Sequence, residues 1–258
     1  MKSIIVIINE LSGGDSLLRS AANLALFFDS DMRFIYVIKA PENWDKLGRS
    51  SRDKYPDEKK EINLAKQKMD AWLNDSRSMD IESSKDLLFY EGKEISQHLE
   101  YNESSVVLTC RKTLMDKATR DFITKNSMNT LVIDKELKIE ALSYGIFHAD
   151  FKTKSEATSY FLGRLLELPE FSLNLIFINT EATHESSAIS IRNMKQLINN
   201  YALSKTKISI FYADTINEGL EEIIDLYGAD IVIRELNNGL EPLDLETTAL
   251  PTLLICNR

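Results

Sequence analysis

The sequence predicts an α/β protein made of two tandem, doubly wound, Rossmann-like domains, each a five-stranded parallel sheet with helices on both faces. Three observations carry that expectation. The strand-like runs are continuous and β-branched, as IIVII at 4–8 is, which suits a strand covered on both faces. Between these runs lie stretches whose apolar residues recur at spacings of three and four, the signature of a helix with one buried stripe. The whole string then occurs twice. Residues 1–38 run in step with 141–178, LLFYEG (87–92) answers ISIFYAD (208–214), SSVVLTC (104–110) answers ADIVIRE (229–235), and NTLVID (129–134) answers PTLLICN (251–257).

In the first half the strands are expected at 4–8, 34–38, 87–90, 106–108 and 131–133. Asp15 or Ser16 is a ready cap for a helix that carries Leu17, Leu18, Ala21, Ala25 and Phe28. A polar connection over 39–56 follows the second strand, and then a helix with Ile62, Ala65, Met69 and Trp72 on one face. A short helix around Ile95 and Leu99 precedes the fourth strand, and one through Ala118, Phe122 and Ile123 precedes the fifth.

The second half repeats this with strands at 144–147, 173–178, 208–212, 231–233 and 253–256. Ser155 can cap a helix bearing Ala157, Phe161, Leu165 and Leu168; the next helix carries Ile191, Met194, Ile198 and Tyr201. The third, with Leu220, Ile223, Ile224 and Tyr227, stops at Gly228, a natural left-handed cap. Residues 236–250 contain Gly239 and Pro242 and are expected to form a reduced or irregular helix. The domains are therefore set at 1–136 and 140–258, and a linker this short and charged should let the two pack together.

Composition excludes several classes. With 31 Lys and Arg against 40 Asp and Glu, the net charge of -9 opposes nucleic-acid binding, which neutralises phosphates with clustered cations. No apolar run approaches the ~20 residues of a membrane helix, and the run at 4–8 is too short for a signal segment. Cys110 and Cys256 each end an apolar run without metal-ligand spacing, as buried thiols of a cytoplasmic protein do. His98, His148 and His184 are scattered, and no HExxH, GxSxG or CxxC is present. A non-enzymatic protein without metal or cofactor is the expectation, His148 with Asp150 two residues on being the one hint of acid-base chemistry.

At this length and in this order the string resembles the universal stress protein family, specifically its tandem two-domain members, with an adenine nucleotide alpha hydrolase-like fold. The resemblance spans almost the whole chain. It is best in HADFKTKSEATSYFLGRLLEL (148–168), INEGLEEIIDLYGADIVIRE (216–235) and PTLLIC (251–256). It implies an intramolecular pseudo-dimer in which the two fifth strands pair or pack, leaving a monomer or a modest homodimer. Nucleotide-binding members place an Asp at the end of the first strand, use backbone after the second, and cradle phosphates in a glycine-rich loop after the fourth. Carried over, the acid is Asp150, with Glu10 its equivalent, and the second-strand positions are Ile38 and Ile178.

The phosphate loop has no match. No glycine stands between Cys110 and Thr130, and only Gly239 between Arg234 and Pro251, so ATP binding is expected to be lost. Glycines matter there because they let backbone N–H groups approach an anion. Arg111, Lys112 and Lys117 occupy the loop's place and either attract a phosphate by charge or form a solvated helix start. Arg234 and Glu235 read as a local pair or an exposed strand end. The segment 39–56, with Trp44 and Tyr55, is a lid or an ordinary loop with its aromatics tucked onto the core. Two functions follow: a cytoplasmic, non-enzymatic stress-response protein that binds a protein partner or small ligand, or a nucleotide-binding, weakly ATPase-like member using Arg111, Lys112 and the 39–56 loop in an unconventional phosphate site.

Overall fold

The computed structural model describes residues 3–11, 14–92, 94–95, 99, 101, 105–148, 156–181, 186–203, 205–236 and 250–256. The chain divides into two compact units: Met1–Met128 with Lys135–Leu137, and Asn129–Asp134 with Lys138–Arg258.

Unit 1 holds strands β1 (Ser3–Ile8), β2 (Asp31–Lys39), β3 (Ser83–Tyr90) and β4 (Val106–Thr109), in the order β3-β2-β1-β4. Its described pairings, β1 with β2, β1 with β4 and β2 with β3, are parallel. The β-branched run 4–8 is almost wholly buried, as a strand covered on both faces must be. Helix α1 (Gly14–Phe28) follows β1 and buries Leu17, Leu18, Ala21, Ala25 and Phe28. It begins one residue before Asp15, so neither Asp15 nor Ser16 caps it. The Asp15 carboxylate instead turns sideways, accepting from Trp72 Nε1 at 3.0 Å and from Lys68 at 2.9 Å. Trp72 lies on α3 (Pro56–Ser78), which starts on a proline and carries Asp57 and Glu58 in its first turn.

The connection between β2 and α3 contains a 3-10 turn, Trp44–Lys46, and a short helix α2 (Arg49–Arg52). Beyond β4 the chain forms α4 (Arg111–Met115) and α5 (Lys117–Lys125), the latter capped by Asp116, whose carboxylate accepts from Thr119 N at 2.9 Å. The helix expected around Ile95 and Leu99 falls mostly outside the described residues. Residues 135–137 lie along α1: Leu137 N donates to Ser20 Oγ at 2.8 Å and Arg19 pairs with Glu136.

Unit 2 holds β5 (Thr130–Val132), β6 (Tyr144–His148), β7 (Ser172–Asn179), β8 (Thr206–Tyr212), β9 (Ile231–Leu236) and β10 (Thr252–Cys256), in the order β5-β10-β9-β6-β7-β8. The pairings from β10 to β8 are parallel, while β5 runs antiparallel to β10 with Leu131 opposite Leu253. The fifth strands of the two sequence repeats thus pair with each other, as the resemblance implied. The helices are α6 (Glu156–Leu166), α7 (Ser187–Tyr201) and α8 (Ile216–Tyr227). A reciprocal capping box between Thr215 and Glu218 starts α8, and Gly228 ends it at φ 63°. Gly219 brings α8 close: a Cβ there would stand 2.8 Å from Ile178 Cγ2. The apolar cluster beneath it joins Ile146, Ile176, Ile178, Leu220, Ile223 and Val232. The opposite face of β6 is closed by α7, whose Tyr201 ring lies 6.2 Å from that of Phe147. The expected cap Ser155 and the irregular helix with Gly239 and Pro242 lie outside the described residues.

Candidate functional site

The strand order reverses between β1 and β4 and again between β6 and β9. Above the carboxyl ends of such a pair a doubly wound sheet opens a crevice.

In unit 1, β1 delivers Glu10 and β4 delivers Arg111 and Lys112 to this edge. The structure brings Glu10 and Lys112 together: Lys112 Nζ donates to Glu10 Oε2 at 2.5 Å. Both side chains are well exposed, so the pair contributes little stability, but the lysine's charge is turned onto an acid. Arg111, half-buried at the start of α4, is engaged with other groups of the protein. A five-residue helix stands where a phosphate loop would lie. Nearby, Tyr36 donates to Asn9 O at 3.2 Å and to Glu61 at 3.1 Å. Burial, then the charges of Glu61 and Glu10, push its phenol well above the ordinary value. Tyr90 donates to Asp116 at 3.3 Å, and burial with the Asp116 charge raises its phenol to about 12. The described groups here thus include the carboxylates of Glu10, Glu61 and Asp116.

Ile38 and Ile178 occupy equivalent places. The last β1–β2 register pair is Ile8 with Tyr36 and the last β6–β7 pair is His148 with Ile176, so each isoleucine stands two residues beyond its neighbour's end. Both side chains are buried, which leaves only backbone for a ligand. Trp44 is tucked in, not held as a lid. It is 2% exposed, stacks on Phe89 at 6.5 Å, and lies under Arg52, which donates to its carbonyl at 3.1 Å.

In unit 2, Asp150 lies outside the described residues. What the edge does show is His148 at the end of β6 and Arg234 on β9, register partners on adjacent strands. The reading of Arg234 and Glu235 as an exposed strand end is corrected: they are 6% and 4% exposed, because β9 is a central strand covered on both faces. Glu235 accepts from Tyr201 Oη at 3.1 Å. Sequence reasoning missed Arg234 by ending the strand where the apolar run ends; six residues of strand in a sheet centre would have buried it. A cavity of about 300 Å³ lies at the ends of β7 and β8, walled by Asn179, Thr180, Glu181, Tyr212, Ala213 and Asp214. Among the described residues no cluster of His, Cys, Asp or Glu could hold a metal ion, and no helix is long and apolar enough to cross a membrane.

Solved structures share this architecture from end to end. A universal stress protein from Archaeoglobus fulgidus aligns over 98% of this chain and 95% of its own, with a TM-score of 0.64 at 8% identity. The chain has the universal stress protein fold. A putative universal stress protein from Pseudomonas aeruginosa aligns over 99% and 93%, at a TM-score of 0.58 and 11% identity. The cytoplasmic domain of a prokaryotic cation chloride cotransporter aligns over 99% and 95%, at 0.57 and 10%. No protein-family model and no curated protein matches the chain.

Proposed function

We propose that this chain is a cytoplasmic, non-enzymatic stress-response protein of universal stress protein type, acting by binding a small ligand or a protein partner, with ATP binding in the family's manner lost. The observation that carries this is the unit 1 edge, where Lys112 is closed onto Glu10 and α4 replaces a glycine loop. An ATP phosphate there would lose several charge-assisted hydrogen bonds at about 1.5–3 kcal/mol each. It would also meet Glu10 in place of converging N–H groups. The occurrence of this fold as the cytoplasmic domain of a transporter is in keeping with a partner-binding role.

Titration calorimetry with Mg-ATP tests the reading. Binding no tighter than about millimolar is expected. A micromolar isotherm abolished by Asp150→Ala, or by Arg111→Ala with Lys112→Ala, overturns it in favour of a nucleotide-binding protein with an unconventional phosphate site.

A further inference from the structure

We infer that β8 is an interface between two copies of this chain: its outer edge pairs antiparallel with the β8 of a second copy, about a two-fold axis beside Ser209. This interface goes beyond the ligand-binding reading and stands whether or not ATP binds.

β8 closes the strand order of unit 2 and pairs with β7 alone among the described residues. Its register is unbroken from Thr206 to Tyr212, without a bulge, and none of its seven residues is buried. From Ile208 to Tyr212 the run ISIFY carries neither a charge nor a proline. A regular, uncharged edge of this length is a template for another strand, and natural proteins guard such edges. The counterpart in unit 1 is guarded. β3 carries Lys85, paired with Asp70, and Asp86, paired with Arg33. Trp44 stacks on Phe89 of the same strand, and Phe89 is buried. β8 has no such guard, and a partner strand would complete it.

Charge at the two ends of the strand specifies the partner. Lys205 and Lys207 stand at its start and Asp214 just past its end, all exposed, with the uncharged run between them. Such a strand complements itself only when antiparallel. Each copy's lysines then lie toward the other's Asp214, whereas parallel pairing sets like against like. Ser209 is the midpoint of the strand, so full overlap puts Ser209 opposite itself at the axis. Ile208 then meets Ile210 and Thr206 meets Tyr212, cross-strand pairs of the kind that stabilise sheets. These side chains alternate with Ser209, which donates to Asn174 on the opposite face. Tyr212 among them is 64% exposed and lies 2.9 Å from Ser187 of α7. On the α8 face Lys207 crosses Phe211. A two-fold contact of this kind uses up both edges, so assembly stops at the dimer.

Light scattering and sedimentation equilibrium on the full chain, from low to high micromolar concentration, test this. A reversible shift from 29.4 kDa to twice that mass is expected, with a dissociation constant of about 1–100 µM for so small a contact. Tyr212→Lys is an exposed change that adds like charge near Lys205 and Lys207, and should weaken the dimer about tenfold or more. Tyr212→Glu should weaken it less. Lys205→Glu should weaken it as well, and adding Asp214→Lys should restore it. Ser209→Cys should give a disulfide-linked dimer on mild oxidation, because opposed Cα atoms of antiparallel strands lie about 4.5–5.5 Å apart. The wild type, with its own two cysteines, is the control. A single mass of 29.4 kDa throughout overturns the inference. So does a dimer untouched by Tyr212→Lys and not linked through Ser209→Cys, which places the contact elsewhere. A monomeric chain that takes up an extended peptide at this edge overturns it also. If Tyr212→Lys does not fold by circular dichroism, an unchanged dimer in folded Lys205→Glu overturns it equally.

Discussion

Trp72 is held by two constraints at once. Its indole N–H donates to Asp15, and its ring lies against Gly14, where a Cβ would stand 2.5 Å from Cζ2. Gly14→Ala should therefore cost about 1–3 kcal/mol in urea unfolding, because a ring clamped at its nitrogen cannot swing away. The Asp15 carboxyl is held below its ordinary value, first by the hydrogen bond from Lys68 and then by that from Trp72. Since the folded state favours the carboxylate, this contribution is complete above the unfolded-chain value of about 4 and is lost as pH falls through the lower folded value. The melting-temperature gap between wild type and Asp15→Asn should accordingly be full at neutral pH and close in acid. The sequence made Asp15 a cap because aspartate favours that position. A helix start one residue earlier gave it a different role, and no local pattern announces such a shift.

At the scale of elements, Thr215→Ala removes one half of the α8 capping box and should cost about 1 kcal/mol by thermal or chemical melting. Tyr90, joining the end of β3 to the α5 cap, contributes to the alkaline behaviour of unit 1. Its raised phenol favours the protonated folded state, so stability is intact below the unfolded value of about 10 and declines as pH rises toward about 12. Tyr90→Phe should flatten that alkaline decline in a pH series of melts. Each of the ten expected strands is present, since continuous apolar runs between amphipathic helices leave few other solutions. Their ends were less legible. β3 extends back from 87 to Ser83 through polar residues that pair with β2 through the backbone and through Arg33 donating to Asp86, and β9 runs on through Arg234 and Glu235. Hydrophobicity marks what is buried in hydrocarbon and is silent where a strand continues on hydrogen bonds.

At the scale of the whole molecule, a chain that carries both copies of the fold is expected to be a monomer or a modest dimer. Multi-angle light scattering at low micromolar concentration checks this, and an obligate higher oligomer would contradict it. The α/β fold was legible because order and spacing of elements survive where sequence identity to solved structures has fallen to 8–13%. The site was legible only in part. Glu10 and Lys112 were named individually, but nothing in the sequence says that a glutamate at position 10 will meet a lysine 102 residues later. Arg234 was named and misread, because which face a charged strand residue takes depends on strands that are distant in the chain.

The antiparallel pairing of β5 with β10 places Thr130 opposite Leu254, about 120 residues apart along the chain. On the ribosome, β5 emerges long before its partner has been made. At a synthesis rate of roughly 5–20 residues per second, that edge stays open on the β10 side for several to some tens of seconds. Translation arrest shortly after β5 would hold the open edge indefinitely, so a nascent chain stalled there should be captured by chaperones more readily than one stalled after Cys256.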